Sequence, residues 1–252
     1  MSVLCERSSS SFIQIRNAAD TADGALGPTV NTTPIAMLIY FRPDHLGQNT
    51  TLLTMGGTGR QVWKISYDSS TGQILFQGAS TLNFSSLVSL TSSDLDKWHI
   101  VAITWNGTGT DITAFYKNLT DNGAIQSQTV SPHSDAGSAG GSPKIGQHSI
   151  ASIIFRGTLA HAGYWVNQTA AMTSTDFDNI IASGGNAATW ESGALVFYDP
   201  LITSSFKINQ KLTSSNTWSP STGSASYLIK PSGSPYMDFD PAHRFLRGPQ
   251  RS

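Results

Sequence analysis

Apolar runs of strand length alternate along this chain with clusters of Gly, Asn, Asp, Ser and Pro. Phe12–Arg16 alternates apolar and polar residues, as a strand with one buried face does, and Ile35–Phe41 is a longer apolar run closed by Pro43. Turn residues recur at the spacing of a β-sandwich. We therefore predict one all-β domain of about a dozen strands. The other main predicted strands are Thr51–Met55, Val62–Tyr67, Ile74–Phe76, Trp98–Trp105, Ile112–Tyr116, Ala124–Val130, Phe155–Trp165 and Ala194–Tyr198.

Turn sequences predict which strands form hairpins. Asp68–Gly72 separates two short apolar runs, and Asn-Gly pairs at Asn106-Gly107 and Asn122-Gly123 separate the central ones. Asn-Gly between such runs is a strong hairpin signal, because both residues accept positive φ. These three turns therefore predict antiparallel pairs.

One helix is predicted, over Thr173–Ala182. A Ser or Thr cap, acidic residues in the first turn and a stop at Gly184-Gly185 mark its ends. In the preceding strand Phe155, Leu159, His161 and Trp165 share one parity, so we expect them to face the same side.

The ends of the chain differ from its middle. We predict an N-terminal arm at residues 1–10, a jelly-roll domain at 11–203, and an extended C-terminal arm at 204–252 that is rich in Ser, Thr and Pro. The last dozen residues carry arginines and no acid, so this end either docks on an acidic partner or stays solvated. The predicted assembly contacts of the arm are Trp218, Tyr236, Arg244, Phe245, Arg247 and Arg251.

The amino-acid composition argues against some classes of partner. Only 12% of the residues are charged, the net charge is -1, and the acidic residues include just two glutamates, Glu6 and Glu191. Near-neutral charge argues against a nucleic-acid partner. Neither a secretory h-region nor a membrane-spanning apolar run is seen, so we expect no export by the general route and no membrane partner. The single cysteine, Cys5, is expected to be an inert thiol.

Three stretches resemble the laminin-G-like, or concanavalin A-like, jelly-roll family over about residues 10–203. They are Ile35–Met55 with its Phe41-Arg-Pro-Asp44 sequence, Lys97–Gly107 with the pattern Trp-His-x-Val-Ala-x-Thr-Trp-x-Gly, and the closing unit from Phe155 to Tyr198. The resemblance implies a two-sheet antiparallel jelly-roll sandwich, with one concave sheet and recognition at the concave face or the rim loops. It fixes no ligand, because such folds host many functions.

Candidate ligand-binding residues are few. Calcium is compatible with the loop aspartates Asp44, Asp68, Asp111 and Asp121, for which turn formation is the alternative role, and no cofactor is required. Trp63, Trp98, Trp105 and Trp165 are predicted to be core residues, and His99 and His161 to be sheet residues rather than metal ligands. Trp190 is a candidate glycan platform, with packing as the alternative.

Two functions follow from these expectations. The first is a non-catalytic structural and recognition protein on the surface of a viral particle, such as a head-decoration or tail protein of a phage, made in the host cytoplasm. Its partners would be other virion proteins or a second copy of the chain, bound through the C-terminal arm, and glycans. The second is an extracellular lectin or carbohydrate-binding module. A glycoside hydrolase ranks third, because the usual Glu-x-Asp-x-Glu strand is missing from the sequence.

Overall fold

The computed structural model describes residues 3–5, 13–17, 34–57, 60–77, 87–107, 109–133, 144–146, 155, 157–191, 194–199 and 216–220. These residues form two antiparallel sheets and one α-helix, α1 (Ser174–Ala182), with two single-turn 3₁₀ helices, Ser92–Asp94 and Ala187–Thr189. The strands are β1 (Val3–Cys5), β2 (Ile13–Asn17), β3 (Ile35–Pro43), β4 (Thr50–Gly57), β5 (Arg60–Asp68), β6 (Gln73–Gln77), β7 (His99–Trp105), β8 (Thr110–Asn118), β9 (Gln126–His133), β10 (Lys144–Ile145), β11 (Gly157–Val166), β12 (Leu195–Asp199) and β13 (Asn216–Pro220).

Within the described part of the chain, the sheets have seven and six strands. The seven-stranded sheet runs β1-β11-β3-β7-β8-β9, with β12 also paired to β11, and the six-stranded sheet runs β13-β2-β10-β4-β5-β6. Each pair of neighbouring strands named here is antiparallel. The fold class expected from the sequence, an antiparallel jelly-roll sandwich with one short helix, is confirmed.

The predicted arms contribute strands to both sheets. β1 pairs with β11 through Val3 opposite Leu159, and β13 pairs with β2 through Trp218 opposite Ile15. The domain boundaries at 10/11 and 203/204 stay a prediction, but neither arm is wholly separate from the sandwich.

Two apolar clusters hold the layers together, one on each face of the seven-stranded sheet. The first lies between the sheets and includes Val101, Ile103 and Trp105 of β7, and the second lies under α1 and includes Ile100 and Ala102. Successive residues of a strand point to opposite faces, and every residue of β7 is buried, so this strand is covered on both faces. The molecule therefore has three layers: α1, the seven-stranded sheet and the six-stranded sheet.

Helix α1 begins and ends where the sequence predicts. The Thr173 side chain accepts a hydrogen bond from the Asp176 N–H, and the Asp176 carboxylate accepts one from the Thr173 N–H in return. Phe177 is buried against the outer face of the seven-stranded sheet, where its ring stacks on Phe115 at 5.5 Å. Gly184 and Gly185 end the helix with φ of +74° and +86°.

The expectation that Phe155, Leu159, His161 and Trp165 face one side is wrong. Phe155 and Leu159 belong to the cluster between the sheets, whereas Trp165 belongs to the cluster under α1. The register with β3 shifts between Ala160 and Gly163, so β11 has one extra residue there, with His161 at φ +46°. A β-bulge of this kind reverses the parity of all the residues that follow.

Candidate binding rim

Loops from both sheets meet at one end of the sandwich. β3, β5 and β8 end there, and β4, β6, β7 and β9 begin there, as the register of Phe41 opposite His99 and of His99 opposite Asn118 shows. We call the loop residues at this end, 44–49, 69–72, 89–98 and 119–125, together with the strand ends that carry them, the rim. Loops placed on rigid strands are where binding residues concentrate.

Five aspartates lie at the rim, although they come from distant parts of the sequence. They are Asp44, Asp68, Asp94, Asp96 and Asp121. The four loops also carry several serine, threonine and asparagine residues. The rim therefore presents a dense set of hydrogen-bonding groups.

Two ion pairs order the rim beside the seven-stranded sheet. Arg42 Nη2 lies 3.0 Å from Asp96 Oδ1, and Lys97 Nζ lies 2.6 Å from Asp121 Oδ2. Asn118 Nδ2 donates to the same Asp121 oxygen at 3.0 Å, while Asn118 Oδ1 accepts from the Asp121 N–H at 3.0 Å. These contacts fix the 89–98 loop to the end of β3 and to the turn after β8.

Asp68 organises the rim beside the six-stranded sheet. Its carboxylate accepts hydrogen bonds from the hydroxyl and N–H of Ser70 and from the Thr71 hydroxyl. The hydrogen bonds from Ser70 lower the pKa of Asp68, so this carboxylate stays ionised. Asn49 Oδ1 accepts from the N–H and hydroxyl of Ser69, which joins the loop before β4 to this turn.

A buried histidine connects the rim to the core. His99 is fully buried at the start of β7, where Nδ1 lies 2.7 Å from the Tyr116 hydroxyl and Nε2 lies 3.1 Å from the Asp94 carbonyl oxygen. A carbonyl only accepts, so Nε2 carries the proton and the Tyr116 hydroxyl donates to Nδ1. Burial lowers the pKa of His99, which favours the neutral ring.

The calcium candidates are distributed unevenly. Asp44, Asp68 and Asp121 lie at the rim, whereas Asp111 lies at the opposite end, where β8 begins. No group of three or more His, Cys, Asp or Glu side chains among the described residues is placed to hold a metal ion. Asp68 forms a turn, which is the alternative role, and Asp121 pairs with Lys97, while calcium binding stays a prediction.

Trp190 is not an exposed platform. It is 7% exposed, its ring lies edge-on to Trp165 at 5.2 Å, and its carbonyl accepts a hydrogen bond from Trp165 Nε1. The glycan-platform prediction for Trp190 is therefore wrong, because the turn at Ala187–Thr189 folds this residue into the cluster under α1. The core assignments of Trp63, Trp98, Trp105 and Trp165 are confirmed.

Most of the predicted assembly residues lie outside the part of the chain that the structure describes. Trp218 lies in β13, and Tyr236, Arg244, Phe245, Arg247 and Arg251 lie outside the described residues. Of the two glutamates, Glu6 lies outside them too, and Glu191 accepts a hydrogen bond from the Thr169 hydroxyl at 2.5 Å. His99 and His161 are sheet residues, as expected.

Arg42, Lys97 and Asn118 are rim residues that the sequence did not single out. Arg42 belongs to the Phe41-Arg-Pro-Asp44 stretch and Lys97 precedes the Trp-His pattern, so both sat beside recognisable signals. Their partners Asp96 and Asp121 are 54 and 24 residues away, and only the strand order brings them together.

No family model matches the chain, and no curated protein matches it in sequence. Among solved structures the chain is similar to the heptameric SAP-like pentraxin from Limulus polyphemus, with 17% identity over 70% of this chain and 78% of that one and a TM-score of 0.46. It is also similar to domains LG4-5 of the mouse laminin α1 chain (14% identity, 68% and 42% coverage, TM-score 0.44). A third similar structure is the enzymatically active domain of bacteriophage CBA120 tailspike protein 2 (15% identity, 61% and 24% coverage, TM-score 0.42). These similarities concern the fold alone.

Proposed function

We propose that this chain is a non-catalytic recognition protein that binds glycans through the rim. The observation that carries the proposal is the convergence of carboxylate, amide, hydroxyl and cationic groups on one end of a rigid sandwich. Sugars present closely spaced hydroxyls that donate and accept at once, and such a set of partners complements them.

The rim residues are held in place before any ligand arrives. Asp96 and Asp121 are fixed by Arg42 and Lys97, and the Asp94 carbonyl is held by His99 from below. Binding groups that are already ordered lose little conformational entropy when the ligand binds. The ion pairs and the buried histidine therefore support recognition by a preformed surface.

The same contacts favour binding over glycoside hydrolysis. A hydrolase needs a carboxylic acid whose pKa is raised so that it can donate a proton. At the rim, the hydrogen bonds from Ser70 lower the pKa of Asp68, and the carboxylates of Asp96 and Asp121 are engaged by Arg42 and Lys97. Carboxylates of this kind accept hydrogen bonds and suit a binding role.

The test is a glycan array with the wild-type protein and two variants. Lys97→Gln removes the cation beside Asp121, and Asp111→Asn removes an exposed charge at the opposite end of the same sheet. We expect Lys97→Gln to weaken binding about tenfold, the cost of about one charge-assisted hydrogen bond, and Asp111→Asn to leave it unchanged.

Repeating the array with calcium and with a chelator shows whether an ion takes part. Wild-type protein that binds no glycan above background in either condition would contradict the proposal. Equal losses in the two variants would place the binding surface elsewhere.

We further propose that this recognition protein stands on the surface of a viral particle, as a head-decoration or tail protein of a phage. β13 supports this, because the C-terminal arm supplies the strand beside β2 at the margin of the six-stranded sheet. The sequence after β13 carries Arg244, Arg247 and Arg251, with no acid from Pro241 onward, which suits a contact with an acidic partner.

Deleting residues 230–252 tests the particle role. We expect the shortened chain to keep its β-sheet circular dichroism, because the deletion leaves β13 in place. We expect it to be lost from purified particles, because the arginine-bearing end is removed. A shortened chain that enters particles at the normal ratio would show that this end does not anchor the protein. An extracellular lectin is the alternative, and it predicts glycan binding by a protein that is found in no particle.

A further inference from the structure

We propose that strand β9 is a dimerisation edge, which pairs antiparallel with β9 of a second copy of this chain about a two-fold axis. β9 is the last strand of the seven-stranded sheet and is hydrogen-bonded to β8. Gln126, Ser127 and Thr129 are exposed, and no strand among the described residues pairs with the outer side of β9. An open edge presents a row of backbone N–H and C=O groups that can pair with another strand.

By contrast, β6, at the margin of the six-stranded sheet, is covered by another segment of the chain. Leu87–Leu90 lies beside β6, with a bridge between Gln73 and Ser89 and a hydrogen bond of 2.7 Å from the Leu90 N–H to the Gly72 carbonyl. This segment covers the margin of β6. Of the two strands beside β11, β1 has only three residues and β12 contains Asp199. In the other sheet, β13 ends in Pro220.

The first five residues of β9 lack the features that normally protect an edge strand. The strand's eight residues contain no Lys, Arg, Asp or Glu. Its one proline, Pro132, lies beyond Val130, where the register with β8 shifts. Gln126–Val130 is therefore a regular, uncharged stretch of five residues, whereas natural edges usually carry a charge, a proline or a bulge within such a stretch.

The sequence of this stretch is compatible with pairing to itself. When Gln128 lies on the two-fold axis, Ser127 of each copy faces Thr129 of the other, and Gln126 faces Val130. Thr113 and Thr129 already lie side by side on the outer face, with their hydroxyl oxygens 3.0 Å apart. Pairing would continue this row of hydroxyls across the axis, and no charge would face a like charge.

A second copy is the occupant that these features favour. An isologous two-fold contact requires each patch to complement itself, and an uncharged strand of alternating amide and hydroxyl side chains does so. A charged peptide from another protein would find no opposite charge along β9. The proposed contact is independent of the C-terminal arm and of glycan binding.

The experiment measures the mass of the full-length protein by sedimentation over a range of concentrations. We expect a dimer that dissociates on dilution. Gln128→Lys would bring two ammonium groups together on the axis and should raise the dissociation constant at least tenfold. Asn179→Lys makes a similar change on the exposed face of α1 and should leave it unchanged.

A second pair of variants keeps the proposal open to refutation if Gln128→Lys folds poorly. In a Cys5→Ser background, Gln128→Cys should form a covalent dimer under mild oxidation, because the two copies meet at this residue. Gln126→Cys, which faces Val130 of the other copy, should not. A protein that stays monomeric at every soluble concentration, a dimer unaffected by Gln128→Lys, or equal crosslinking of the two cysteine variants would overturn the proposal.

Discussion

His161 combines a strained backbone with a buried, ionisable ring. Its φ of +46° is uncommon for a residue other than glycine, its ring lies 4.9 Å from that of Tyr40, and it is 4% exposed. A Cβ on Gly185 would lie 2.7 Å from the ring, so the helix end can close over His161 because residue 185 is glycine. The bulge in β11, the His161 ring and the end of α1 at Gly185 are therefore packed together.

Acid should destabilise the protein through His161. Burial lowers its pKa to about 4 in the folded protein, whereas the unfolded chain takes up the proton near the ordinary value of 6.5. Below pH 6.5 the unfolded state binds more protons, so the free energy of unfolding falls as the pH drops toward 4, by up to about 3 kcal/mol. Asn tolerates positive φ, so His161→Asn should keep the bulge and lose most of this dependence.

Urea unfolding at pH 7 and at pH 5 measures the effect. The wild type should lose more stability on acidification than His161→Asn does. His45→Asn, in the half-exposed rim loop, serves as the control and should behave like the wild type. Equal losses in the wild type and in His161→Asn would show that His161 does not take part.

Secondary-structure elements with local signals were the ones the sequence predicted well. Helix α1 is marked by Thr173 and by Gly184-Gly185, and the β7–β8 and β8–β9 turns by Asn106-Gly107 and Asn122-Gly123. The bulge in β11 has no local signal, because it depends on how β3 and β12 pair on either side. The parity of Trp165 was therefore outside the reach of sequence reasoning.

The cap of α1 offers a test at this scale. Thr173→Ala removes the hydroxyl that accepts from the Asp176 N–H, so the free energy of unfolding should fall by about 1 kcal/mol. Thr175→Ala, on the exposed first turn, should change it little, because alanine is a good helix former. Urea denaturation of both variants checks this, and similar losses in the two would mean that the cap is unimportant.

At the scale of the whole molecule, the rim depends on topology. Asp44, Asp68 and Asp121 each occupy a recognisable turn, but which turns share an end follows from the order of strands in the two sheets. Asp111 looked equivalent in sequence and lies at the other end. Trp190 shows the same limit, because only the packing of the Ala187–Thr189 turn under α1 decides that its ring is buried. Among the described residues no helix is long and apolar enough to cross a membrane.

The strand order also has a consequence for synthesis on the ribosome. β1 pairs with β11, β3 lies between β7 and β11, and β2 lies between β10 and β13. The first strands to emerge therefore have partners that are made more than a hundred residues later, a delay on the order of ten seconds at ordinary rates of translation. Until β11 has been made, the apolar strand β3 lacks one of its two neighbours, and this waiting period is when the chain is most exposed to misassociation.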